Sequence, residues 1–198
     1  MGDWTGLRGD IDRSSTAERV AAALRAKILA GDIGAGRQLN EKALGEALTV
    51  SRNTLREAFR LLTHERLLVH SYSRGVFVRK PDERDVHDLI TARQVIELGA
   101  LHHHATADDA ARQALRDADA HDLLHRRLVA LTGSTRLVAE SDRLLAEQRL
   151  VLRGGVPPEV HDLAALLDRA DLREAERRLT GYFDLCRESG LRAVGRVD

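Results

Sequence analysis

Cysteine occurs once in this chain of 198 residues, proline three times, and the aromatic residues number six: three Phe, two Tyr and one Trp. A single thiol, Cys186, can form no internal disulfide, which suits a reducing compartment, and no Cys–His arrangement marks it as a nucleophile, so it is read as a packing residue. No apolar run approaches the ~20 residues a membrane-spanning helix needs. The first residues lack the charged-then-apolar order of a signal peptide, and the expected location is the cytoplasm. Net charge is also missing, with 31 Lys and Arg against 31 Asp and Glu. That balance hides an asymmetry. Residues 1–80 carry 14 basic and 9 acidic residues, a net +5, and residues 81–198 carry 17 and 22, a net −5. A cationic half facing an anionic partner, and an acidic half that avoids it, is the pattern expected of a nucleic-acid binder.

What the chain has is periodicity. Residues 1–14 show none and are read as a flexible arm. Ser15-Thr16-Ala17-Glu18 has the spacing of a capping box, Val20, Leu24 and Ile28 form an apolar stripe, and Gly31 closes the helix. Asn40 caps a second helix whose stripe is Ala43, Leu44, Ala47 and Leu48. After the turn Thr49-Val50-Ser51, Ser51 caps a third helix in which Leu55, Ala58, Phe59 and Leu62 recur at i, i+3, i+4 and i+7. Two β-type runs follow, Leu67–Val69 and Val76–Val78, joined by the polar segment His70–Gly75, where Gly75 suits a positive φ.

Helix, turn, helix, hairpin is the order of a winged helix-turn-helix, which lays its second helix in the DNA major groove. Arg52, Arg56 and Arg60 lie four apart on the face opposite the stripe, with Asn53 beside them. Arg forks onto guanine and Asn onto adenine, and the first turns of such a helix reach the bases. Ser51, Arg52, Asn53 and Arg56 are therefore the expected readers. Arg60 lies further along, toward phosphate or solvent. Tyr72 and Arg74 at the hairpin tip are expected to reach a minor groove or phosphates.

Residues 81–198 read as helical throughout, opening at Pro81 and the polar run Asp82–Asp85. Helices are expected over about 82–105, 108–132, 135–152, 158–169 and 171–189, the last from a second capping-box spacing at Asp171–Glu174. The fold class is mainly α: a winged helix-turn-helix at 15–80 and an antiparallel all-α bundle at 81–198.

Three stretches of the first 80 residues carry a family resemblance: Gly31-Asp32-Ile33 with Gly36-Arg37-Gln38-Leu39, Val50 through Ala58, and Arg74 through Val78. They resemble the DNA-binding domain of the GntR family of bacterial transcription regulators. Ala35 stands where that family usually has proline, and Thr49 where glycine is common. The resemblance implies DNA contacts at Lys42, Ser51, Arg52, Asn53 and Arg56, with the wing near Tyr72, Arg74 and Gly75.

Arg93–Glu97, His125–Leu128 with Gly133–Leu137, His161–Leu163 and Asp171–Leu179 resemble the effector domain of the FadR-type branch, an FCD-like bundle. The segment between Ala105 and His121 is shortened by a couple of dozen residues. That resemblance implies an effector pocket holding a divalent metal on an Asp, a His four residues later and two further His. Carried over, these positions are His121, His125, His161 and Tyr182, so two of four ligand types match. Asp122 is an alternative oxygen ligand, and zinc, nickel or manganese are the candidate ions. Arg93 either faces a carboxylate effector or pairs with Glu97 one turn away. His102-His103-His104 point ~100° apart on a helix and cannot converge on one ion.

The function expected is a homodimeric, effector-controlled repressor on an operator duplex, and not an enzyme. Two other classes stand beside it. One is a metal-dependent enzyme on the His121, His125 and His161 set, which has no paired base or nucleophile near it. The other is a helical protein-interaction module, against which the arginine row argues.

Overall fold

The computed structural model describes residues 15–152 and 162–195. The expected arm at 1–14, the Pro157-Pro158 helix start and His161 lie outside the described residues. The chain divides into two compact units, Met1–Lys80 and Pro81–Asp198.

In the first unit α1 spans Thr16–Leu29 and opens on the expected capping box: Glu18 N donates to Ser15 Oγ at 3.1 Å, and Ser15 N to Glu18 Oε2 at 2.6 Å. Helices α2 (Glu41–Leu48) and α3 (Arg52–His64) follow, capped by Asn40 and Ser51. Strands β2 (Leu68–Ser71) and β3 (Gly75–Val78) form the hairpin. A third strand, β1 (Gln38–Leu39), was not expected; it pairs antiparallel with β3, giving the order β1-β3-β2. Two residues are too few to show alternation, and only the neighbouring β3 makes them a strand.

Val20, Leu24 and Ile28 of α1 are buried, as are Leu55, Ala58, Phe59 and Leu62 of α3; α1 packs against α3 and α3 against β2, and Leu67, Leu68, Val76 and Val78 are buried as well. Each such Leu, Val or Phe withdrawn from water contributes about 1.5–3 kcal/mol. Arg25 of α1 donates twice to Glu65 at the end of α3, from Nε at 2.6 Å and from Nη2 at 2.5 Å, which fixes the crossing. The apolar stripe expected on α2 is not buried: no residue of α2 is, and Leu48 is 39% exposed. An eight-residue helix held mainly against α3 has too little neighbouring surface to cover a full stripe.

The second unit is all helix among the described residues. It comprises α4 (Glu83–Leu101), α5 (Asp109–Arg116), α6 (His121–Ala130), α7 (Thr135–Leu152), α8 (Leu163–Asp168) and α9 (Leu172–Val194). The single helix expected over 108–132 is two. It breaks at Asp117–Ala120, where aspartates compete for the backbone amides and disfavour a helix interior. A 3-10 turn, His104–Thr106, follows α4. Helix α9 runs five residues beyond its expected end, to Val194, because Phe183, Cys186 and Gly190 keep a buried face going. Helix α4 packs against α6, α7 and α9, and the core contains Ile90, Leu101, Leu128, Leu163, Leu179 and Phe183.

Candidate nucleic-acid interface

Ser51 caps α3. Its Oγ accepts from Thr54 N at 3.1 Å and meets Thr54 Oγ1 at 2.8 Å, so the hydroxyl is committed to the cap. Arg52, Asn53, Arg56 and Arg60 are all exposed, because Leu55, Ala58, Phe59 and Leu62 take the opposite face inward. Lys42 of α2 is exposed as well. The guanidinium groups stand out from the fold rather than folding back into its core.

They differ in what holds them. Arg60 Nη1 donates to Glu57 Oε2 on its own helix at 3.3 Å. Arg56 Nε donates to Glu41 Oε2 of α2 at 3.2 Å, with the Arg56 side chain 65% exposed. The wing is also organised from outside itself. Gln38 Nε2 of β1 donates to the Arg74 carbonyl at 2.6 Å, and Arg74 Nε donates to Ser71 Oγ at 3.1 Å. The Arg74 guanidinium lies 5.9 Å from the Phe77 ring centre. Gly75 takes φ 97°, the turn conformation expected of it. Tyr72 at the tip is 92% exposed. Between α3 and the wing runs a cleft of about 380 Å³ lined by Glu41, Arg56, Arg60, Thr63, His70 and Val76. Gln38, Glu41 and His70 escaped the sequence reading, since their roles depend on neighbours across the fold.

The second unit gathers Arg93, Glu97, His121, His125, Gln148 and Tyr182 into one polar centre. Arg93 and Glu97 are each 1% exposed, and both Arg93 Nε (3.0 Å) and Nη2 (2.6 Å) donate to Glu97 Oε1. Of the two roles expected for Arg93, the geometry takes the pairing. Arg93 Nη1 also donates to Gln148 Oε1. Burial works against both charges. Even so, Glu97 and the Tyr182 hydroxyl hold the Arg93 pKa above its usual value, and Arg93 and His125 hold the Glu97 carboxyl below its own. Burial pushes the His125 imidazole down, with Arg93 and His121 acting the same way against Glu97. The Glu97 carboxylate can only accept, so His125 Nδ1–H donates to its Oε2 at 2.5 Å. The other ring nitrogen, Nε2, is buried and has no hydrogen-bond partner.

His121 Nδ1 lies 2.9 Å from Asp122 Oδ1, and its Nε2 lies 2.7 Å from the Tyr182 hydroxyl, which also accepts from Gln148 Nε2 at 3.1 Å. Burial pushes the Tyr182 phenol up. Thus three of the four positions expected around an ion, His121, His125 and Tyr182, do come together, with ring centres 4.7–5.6 Å apart. Each imidazole has a carboxylate behind its Nδ1, as metal-bound histidines commonly do. Among the described residues no group of three His, Cys, Asp or Glu converges for a metal. Asp122 is turned to His121 and Arg149. The two imidazoles supply two of the four donors of a tetrahedral set.

Residues 16–78 match the family described as bacterial regulatory proteins, gntR family. The gluconate operon transcriptional repressor of Bacillus licheniformis is 33% identical over 87 residues, 44% of this chain and 35% of that protein. An uncharacterized HTH-type transcriptional regulator in an unstable DNA locus of Streptomyces ambofaciens is 29% identical over 157 residues, 69% of this chain and 66% of its own. The chain thus spans 35% of the first relative's length. A crystal structure assigned as a GntR transcriptional regulator of Rhodococcus sp. RHA1 is 27% identical. It covers 93% of this chain and 100% of that one, with a TM-score of 0.73. The Escherichia coli McbR/YncC structure, 17% identical with a TM-score of 0.63, shares the fold. No helix among the described residues is long and apolar enough to cross a membrane. By its matched region and its order of elements, the stretch 16–78 is a domain of the gntR family of bacterial regulatory proteins, and the chain is similar to the Rhodococcus structure along nearly all its length.

Proposed function

We propose that this chain is a sequence-specific DNA-binding transcriptional regulator of the cytoplasm, a repressor with no enzymatic activity. It acts as a C2 homodimer that presents two α3 helices to two half-sites of an operator. The observation that carries this reading is the exposed set Arg52, Asn53 and Arg56 at the start of a Ser51-capped helix. Arg52 and Arg56 read base edges, and Asn53 reads an adenine or holds a phosphate. Ser51 acts through its cap, which sets the helix start against the duplex. Lys42, Tyr72, Arg74 and the Gly75 turn contact the backbone on either side.

The test is binding to a duplex enriched by the parent protein from a random library. Arg52→Ala and Arg56→Ala should each weaken that binding by about 1–3 kcal/mol and relax the choice at one base pair. Loss that is equal on all sequences, with a flatter dependence on salt, would instead mark phosphate contacts. Variants that bind the enriched duplex as the parent does remove α3 as the reader.

The helical unit, in this reading, is a FadR-type effector domain. Its pocket centres on His121, His125 and Tyr182, with His161 beyond the described residues and Arg93 supporting the site through Glu97. The unpartnered Nε2 of His125 supports a ligand at this point. His121 and His125 would hold a divalent zinc, nickel or manganese ion through Nε2, and the ion would supply positive charge to a carboxylate effector. The effector shifts the balance between states of different DNA affinity, and release from the operator is its sign. Metal analysis of the purified protein, with a thermal-shift screen of small organic acids, tests this. Absence of both metal and any shift would leave the unit with dimerisation alone.

A further inference from the structure

We infer that Glu41 is a positioning residue for base reading, one that presets the Arg56 guanidinium as a guanine fork. The inference rests on the DNA-reading function proposed for α3. Glu41 is the first residue of α2, and its helix is pinned by Asn40, whose Oδ1 accepts from Ala43 N at 3.0 Å. From there its Oε2 accepts from Arg56 Nε at 3.2 Å, across 15 residues of sequence and between two helices.

The atom chosen matters. A guanidinium reads guanine end-on with Nη1 and Nη2, against O6 and N7. Glu41 engages Nε, on the side, and leaves both Nη groups for the base. Arg side chains are rich in rotamers, and ordering one on binding costs entropy. A carboxylate that fixes the side chain beforehand removes part of that cost. The neighbouring cations lack such a brace: Arg60 is tied by Nη1 to Glu57 on its own helix, with an Nη group already used. Exposed ion pairs contribute little to folding, so stability gives no reason for Glu41 to face Arg56. Its negative charge also disfavours approach to phosphates wherever Arg56 finds no guanine, which raises the contrast between right and wrong sequences.

The experiment compares the full-length parent, Glu41→Ala, Glu41→Gln and Arg56→Ala by fluorescence anisotropy on two duplexes. One is the sequence the parent enriches from a random library; the other is the same composition scrambled. The readout is the ratio of the two dissociation constants. Glu41→Ala should lower that ratio about fivefold or more, through weaker binding to the enriched duplex. Binding to the scrambled duplex should stay the same or tighten, and Glu41→Gln should fall between Glu41→Ala and the parent. Urea unfolding of Glu41→Ala should match the parent. A ratio unchanged in Glu41→Ala, or an equal loss on both duplexes, overturns the role of Glu41 while Arg56→Ala still lowers the ratio. A parent that enriches no sequence overturns the DNA-reading function itself, and this inference with it.

Discussion

Thr49 closes α2 with φ 54°, in the left-handed region where a Cβ meets the carbonyl oxygen, and it does so as a β-branched residue. The conformation costs about 1–2 kcal/mol, and glycine would give back about 0.5–1 kcal/mol through its freer unfolded chain. Thr49→Gly is therefore expected to stabilise the first unit by about 0.5–1 kcal/mol, read as a higher urea midpoint. A lower midpoint would show that the hydroxyl or methyl holds the turn. His125 gives a pH prediction. Its folded pKa lies below the ordinary value of about 6.5. Above that value the ring is neutral in both states and costs nothing. Below it the unfolded chain takes up a proton that the folded unit refuses, so stability falls as the pH drops, by at most about 1.4 kcal/mol per pH unit for this one group. Thermal melts from pH 8 to pH 5 should show a steeper acid loss in the parent than in His125→Gln. Equal slopes would mean that the buried ring accepts its proton in place.

Helices come from periodicity, and most of them were legible: α1, α3, α4 and α7 lie within a few residues of their expected bounds, because each keeps one apolar stripe against a neighbour. The elements misjudged are those that periodicity does not govern. The α5–α6 break depends on a few aspartates, and β1 exists only because β3 is beside it. Helix α9 shows how closely elements are fitted. A methyl at Gly190 would lie 2.7 Å from Val86 Cγ1 of α4 and 3.3 Å from Val151 Cγ1 of α7. In an open helix Gly→Ala gains about 0.5–1 kcal/mol. Here overpacking costs about 1–3 kcal/mol and wins, so Gly190→Ala should destabilise the helical unit. The double variant with Val86→Ala should recover part of the loss, since the new methyl fills the space that Val86 vacates. A Gly190→Ala protein more stable than the parent would show that α4 and α9 slide apart freely.

At the scale of the whole molecule, sequence by itself determined the division of charge, the two-unit plan and the arginine row, all of which follow from local order and spacing. The exposed face of α3 was legible for the same reason: a helix that buries Leu55, Phe59 and Leu62 must turn Arg52 and Arg56 outward. Only the tertiary structure decided which side chains meet across the chain. Glu41 braces Arg56 from 15 residues away, Glu97 fixes the His125 tautomer from 28, and Tyr182 meets His121 from 61. Such pairs have no signature in periodicity, because a hydrogen bond is made by distance and angle in space, and the spacing of residues along a chain sets neither until the helices have packed.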